Sequence, residues 1–130
     1  MKTILLYGFN PIRDFGLIGA VSAWAEGCGI KTLAVQPEYY SLPLERILSG
    51  EALPKAGENS AHPEKLEARM LVFSEFERKE LFAAIDALKP LGVGPDDIKV
   101  SVTPTNRSWS GAALCREVCK EHRFMSKRSK

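Results

Sequence analysis

Hydroxyls, an amide, a guanidinium, an indole and an imidazole gather in one part of this 130-residue chain: Thr103, Thr105, Asn106, Arg107 and Trp109, followed by His122. Such groups bind an anion when they surround free backbone amides at the start of a helix, where the helix dipole adds its attraction. They also serve a simpler purpose. Pro104 stops a strand ladder, and Thr105 or Asn106 caps the helix that follows. The capping reading takes precedence, because Ser, Thr and Asn are the ordinary caps. Arg107, Trp109 and His122 are what remain for a ligand once capping and packing are served.

A second constellation lies just beyond. Cys115, Cys119 and His122 fall within about 60° of one another on a helix, so they can converge on a soft metal. Their face also carries Gly111, Ala112, Leu114, Val118 and Met125, while Arg116, Glu117, Lys120, Glu121 and Arg123 take the opposite side. Free cysteine in an apolar stripe behaves as a small hydrophobe. With no fourth ligand in sight, core packing is expected, and no metal or cofactor. His122 near a helix end is a weak candidate for a pH switch. The other histidine, His62, sits in the long linker. The chain has no Walker phosphate loop, no Gly-x-Gly-x-x-Gly, no Gly-x-Ser-x-Gly and no His-Glu-x-x-His.

The elements that must position these residues follow from pattern. Ile4-Leu5-Leu6-Tyr7-Gly8-Phe9 is echoed by Leu71-Val72-Phe73-Ser74-Glu75-Phe76 at an offset of 67 residues, and Phe15, Ile18 and Val21 by Phe82, Ile85 and Leu88, the expected core stripe of a helix. Each unit then passes a glycine turn into a second apolar strand, at Thr32-Leu33-Ala34-Val35 and Ile98-Lys99-Val100-Ser101-Val102. Two strand–helix–strand units in series predict an α+β fold, a ferredoxin-like βαββαβ sandwich, with an additional C-terminal helix from about Asn106 to Met125. Asn10-Pro11 predicts the start of the first helix, and Ser74 with Glu77 a capping box at the second. Residues 1–125 form the single domain. The 36–67 connection is expected to be partly mobile, with a short helix placing Leu44, Ile47 and Leu48 on one face, and 51–63 disordered. Residues 126–130 form a basic, disordered tail.

Bulk properties exclude several classes. No run approaches the roughly 20 apolar residues of a membrane span, and three cysteines without framework spacing suit a reducing cytoplasm. Residues 116–130 carry a local charge of +4 against +2 for the chain, which a solvated terminus explains. An RNA-recognition sheet needs an open face with aromatics on display. The strands offer Tyr7 and Phe73 alone, and the C-terminal helix is the natural cover for that face, so nucleic acid is not an expected partner.

The first helix is unusual. From Phe15 to Ala25 it has no charge, with Phe15, Leu17, Ile18, Val21, Trp24 and Ala25 on one half of the wheel and Gly16, Gly19, Ala20 and Ala23 on the other. A helix without a polar face is normally covered on both sides. The small face therefore points to a homodimer contact, or to cover from elsewhere in the chain.

The pattern Lys99 … Val102-Thr103-Pro104-Thr105-Asn106-x-x-Trp109, with Leu114, Glu117, Glu121-His122 and Met125, resembles an uncharacterised bacterial domain-of-unknown-function family common in Clostridia and other Firmicutes. Arg69-Met70-Leu71-Val72-Phe73-Ser74-x-Phe76 resembles its middle segment. Glu75 stands where that family would have glycine. The resemblance implies a small bacterial cytoplasmic protein and transfers no mechanism. Taken together, the residues point to a non-catalytic interaction or regulatory module. The alternative is a small anionic-ligand-binding domain, or an enzyme, using the 103–107 turn and His122.

Overall fold

The computed structural model describes residues 2–10, 12–36, 39–49, 66, 68–94 and 96–128, the last eight as helical backbone. The expected segment 51–63, His62 and the side chain of His122 lie outside the described residues. In chain order the elements are β1 (Thr3–Tyr7), α1 (Phe15–Gly27), β2 (Lys31–Ala34), α2 (Leu44–Ser49), β3 (Met70–Ser74), α3 (Arg78–Leu88), β4 (Ile98–Ser101) and α4 (Gly111–Arg128). The fold is α+β, and no helix among the described residues is long and apolar enough to cross a membrane.

The four strands form one mixed sheet in the order β2-β1-β3-β4. β1 and β2 are parallel, with Thr3 opposite Lys31. β3 and β4 are parallel, with Met70 opposite Ile98. These pairings are separated by the same 67 residues as the sequence echo, so the two units repeat to the residue. They meet across an antiparallel β1–β3 pair centred on Leu5 opposite Val72, which are themselves equivalent positions. The centre of the sheet is therefore a local two-fold.

This order corrects the ferredoxin-like expectation. A ferredoxin-like sheet splits each strand–helix–strand unit with a strand from the other, whereas here the two strands of each unit are direct neighbours. The central strands are apolar and buried on both faces in either arrangement, and the outer strands are half-exposed. Periodicity thus reads the same for both.

Both crossover helices lie on one face, as right-handed connections require when the two parallel pairs step in opposite directions. Ile4, Leu6, Leu71 and Phe73 meet Val21 and Ala25 of α1 and Ala84 and Leu88 of α3 in that layer. Leu5, Tyr7, Met70 and Val72 face the other way, against Leu44 and Ile47 of α2 and Ala112, Leu114, Cys115 and Cys119 of α4. The amphipathic C-terminal helix covers the remaining sheet face as its stripe implies. Tyr7 and Phe73, the strand aromatics an RNA-binding sheet would display, are fully buried. Gly111 is what lets α4 lie on Tyr7, since a Cβ there would collide with the tyrosine ring.

Local starts and stops differ in detail from the sequence signals. The Asn10 side chain does cap, accepting from the amides of Ile12 and Arg13, but the chain makes one turn first and α1 begins at Phe15 with Asp14 at its N-cap. The capping box at α3 is Glu77 with Glu80, three residues later than expected, because Ser74 stays in the sheet opposite Thr3. The last helix starts at Gly111, not Asn106: residues 106–108 form a separate 3-10 turn, and Trp109 is extended. It runs three residues past the expected domain end at Met125. Phe15 and Phe82, expected in the core stripe, are 75% and 54% exposed. Each lies about 120° around its helix from the buried centre, at Val21 and Leu88 respectively.

Candidate functional site

The 103–109 turn is held by its own groups. Asn106, 7% exposed, accepts from the Thr103 amide through Oδ1 at 2.8 Å and donates from Nδ2 to the Ser101 carbonyl at 3.0 Å. Its backbone amide donates to Thr103 Oγ1, while the amides of Arg107 and Trp109 donate to the carbonyls of Thr103 and Asn106. Ser110 then caps α4 by accepting from the Ala113 amide, and the Ala112 amide donates to the Tyr40 carbonyl. An anion pocket made of free amides is therefore not what this turn offers. Thr103 and Asn106 are structural, Thr105 is exposed without a capping bond of its side chain, and Trp109 is 38% exposed.

Two members of the expected set line cavities: Trp109 borders one of about 350 Å³ with Ala113, Arg116 and Glu117, and Arg107 borders another. A cleft of about 700 Å³ lies at the end of the sheet where β3 and β4 finish. Lys31 from the start of β2, Glu45 and Arg46 from α2, and Glu75 after β3 line it together with Arg107. Arg107 Nε donates to Glu45 Oε2 at 3.1 Å, an exposed ion pair that holds the guanidinium beside the cleft. Among the described residues, neither the Lys31 ammonium nor the Arg46 guanidinium has a hydrogen-bond or ion-pair partner. Glu75 holds φ at +65°, the one described non-glycine residue in the left-handed region. Periodicity could not have gathered Lys31, Arg46 and Glu75, since they come from three elements. The signal available was Glu75 itself, a charge where a strand-end glycine was expected.

The opposite end of the sheet has a cluster that the sequence did not reveal. Arg69 grips Asp97 through two bonds of 2.8 Å and reaches Asp14 at 3.3 Å; both carboxylates are more than nine-tenths buried. Asp97, chiefly by hydrogen bonding, and Asp14 raise the Arg69 pKa further above its ordinary value. Asp14 also accepts from the Asn10 amide, Asp97 from the Gly94 amide, and Phe9 lies under the guanidinium at 5.3 Å. Every charge here has its partner, which makes the cluster a clamp between the start of α1 and the approach to β4. Asn10 and Arg13 accompany it, far from Asn106 and Arg107, as strand direction dictates.

The two cysteines of α4 are core residues. Their sulfurs are 3.8 Å apart and buried, and burial, with the neighbouring Cys119, pushes the Cys115 thiol up to about 11. A thiol so raised is protonated and inert at neutral pH. Among the described residues no three His, Cys, Asp or Glu side chains gather to hold a metal ion. The Tyr7 hydroxyl, buried under α4 with no hydrogen-bond partner among the described residues, is likewise held protonated by burial.

The remaining feature is the outer face of α1. Val21 and Ala25 point into the core, and on the opposite side Phe15, Gly16, Gly19 and Ala23 are exposed, continued by Ile12 at 89%. A methyl group at Gly16 or Gly19 would meet nothing described within 4 Å. The described part of the chain therefore leaves this face uncovered.

Residues 69–125 match the family described as a domain of unknown function, DUF3783. The matched stretch takes in β3, α3, β4, the 103–109 turn and most of α4, and leaves α1 and Lys31 outside it. No curated protein and no solved structure matches the chain.

Proposed function

We propose that this protein is a non-catalytic interaction module that pairs with a second copy of itself through the outer face of α1. The observation that carries the reading is the exposed stripe Ile12, Phe15, Gly16, Gly19 and Ala23 on a helix with no charge from Phe15 to Ala25. Contiguous apolar surface of this kind marks interaction sites. A two-fold pairing brings a patch against itself, so an uncharged patch meets no like charge. The two glycines allow the helix backbones to approach closely, and each Phe15 gains cover. Burying one such side chain is worth roughly 1.5–3 kcal/mol, and a dimer buries two.

In this reading the chain is a small bacterial protein working in the cytoplasm, and its role is assembly or regulation. The pseudo-equivalent helix supports the choice of face. Phe82 of α3, at the position of Phe15, lies under the Arg78 guanidinium at 5.7 Å, within a charged outer surface.

Light scattering coupled to size exclusion tests the pairing. The natural protein is expected to elute as a dimer, Phe15→Glu and Gly19→Arg as monomers with unchanged far-ultraviolet circular dichroism and a melting temperature lowered only by the lost association, and Phe82→Glu as a dimer. A natural protein that stays monomeric at about 100 μM, some hundredfold above a micromolar Kd, ends the proposal.

A further inference from the structure

We infer that the cleft between α2 and the finishing ends of β3 and β4 binds a small oxyanion, a phosphate or carboxylate group held by Lys31, Arg46 and Arg107. This goes beyond the pairing of α1, which lies on the opposite layer of the sheet.

The first support is location. In parallel strand–helix–strand units, ligands bind in the crevice beyond the carboxyl ends of the strands, and this cleft stands at the carboxyl end of the β3–β4 pair. The second is the fate of the matching crevice in the other unit. At the carboxyl end of β1, Tyr40 fills the space and its hydroxyl accepts from the Gly8 amide at 2.9 Å. The equivalent space beside Glu75 is left open at about 700 Å³. Among the described residues, one unit closes its crevice with its own side chain and the other does not.

Charge supplies the chemistry. Lys31 and Arg46 have no partner among the described residues, and Arg107 is pre-oriented by Glu45 with further guanidinium donors remaining. Guanidinium groups take phosphate and carboxylate through paired donors, and an ammonium adds a point charge. Glu75 offsets part of this positive charge at the rim and does so from a left-handed backbone position. Residues kept in such conformations cluster at ligand sites.

The test is a titration of the ¹⁵N-labelled full chain with inorganic phosphate, pyrophosphate and succinate at constant ionic strength, followed by amide shifts. The expected result is saturable shifts at Lys31, Arg46, Ser74, Glu75 and Arg107, with none at Gly8 or Arg69. A Lys31→Gln/Arg46→Gln double variant is expected to bind at least about tenfold more weakly at an unchanged melting temperature. Pyrophosphate saturating below succinate assigns a phosphate ligand, and the reverse order assigns a carboxylate. Shifts that fail to saturate by about 50 mM, far weaker than a useful site, overturn the inference. So does an affinity that the double variant leaves unchanged. Repeating the titration on Phe15→Glu separates this outcome from the fate of the dimer, since the cleft contains no residue of α1.

Discussion

α1 and α3 occupy equivalent places in two units whose strands pair in the same register, and they present opposite surfaces to solvent. α3 carries Arg78, Lys79, Glu80 and Asp86 outward and sets Arg78 over its exposed Phe82. α1 leaves Phe15 bare beside two glycines. The strand-end turns differ in the same way. Gly8 and Glu75 are equivalent positions with nearly the same left-handed backbone, φ +76° and +65°. Gly8 is packed against the Ala68–Arg69 backbone and sealed by Tyr40, whereas Glu75 borders an open cleft. Duplicated architecture fixes the backbone twice over, so its side chains are free to diverge, and the places of divergence are where function is best sought.

The largest test of the comparison concerns the residue ahead of each central strand. Arg69 and Lys2 are equivalent, and each reaches the start of the other unit's helix, Arg69 to Asp14 and Lys2 to Glu80. Both carboxylates of the Arg69 cluster are buried, so Asp97→Ala should cost about 3 kcal/mol by leaving Arg69 with only its longer bond to Asp14 and the Gly94 amide without its acceptor, as chemical denaturation would read. A cost indistinguishable from a surface substitution would show that the clamp is solvated.

Next comes Gly8→Ala, expected to cost about 2 kcal/mol, since the new Cβ meets the Ala68 carbonyl oxygen at 2.8 Å in a conformation that already disfavours side chains. The partner substitution Glu75→Gly should move the other way. Relief of left-handed strain exceeds the added entropy of glycine, for a gain of about 0.5 kcal/mol. Should both changes shift thermal unfolding in the same direction, the two turns are not equivalent.

The smallest effect belongs to Lys2→Ala. Its pair with Glu80 is exposed, and such pairs contribute little. Lys2 first, then the Glu77 amide, lowers the Glu80 pKa. A depressed carboxylate contributes stability that is present above its unfolded value and lost as pH falls through the folded one. Lys2→Ala should therefore match the natural protein in melting temperature below that range and fall slightly short of it at neutral pH. A deficit that persists in acid would point to something other than this ion pair.

Much of the architecture was legible. The 67-residue echo marks all four strands, because β1 and β3 read as continuous apolar runs and their outer partners repeat at the same spacing. The Leu44 and Ile47 face of α2 and the cysteine stripe of α4 followed from helical period alone. Helix starts were less legible: a cap signal at Asn10 or Ser74 states that a turn can begin there, while pairing with Thr3 keeps Ser74 in the sheet. Phe15 and Phe82 were placed inside because apolar residues define a stripe by composition, yet each sits at its edge. Of the expected binding residues, Thr103 and Asn106 turned out to satisfy one another, and Arg107 gained a setting that its neighbours in sequence do not provide.

The sequence by itself determined two strand–helix–strand units, a final amphipathic helix to cover the sheet, and a first helix lacking a charged face. These rest on local hydrophobic period and turn chemistry, which act over a few residues. Tertiary structure alone decided that each unit keeps its strands together, that Lys31, Arg46, Glu75 and Arg107 share a cleft, and that Tyr40 closes one crevice while no described residue closes the other. Those outcomes depend on contacts between residues far apart in the chain, and no periodicity encodes which distant elements will meet.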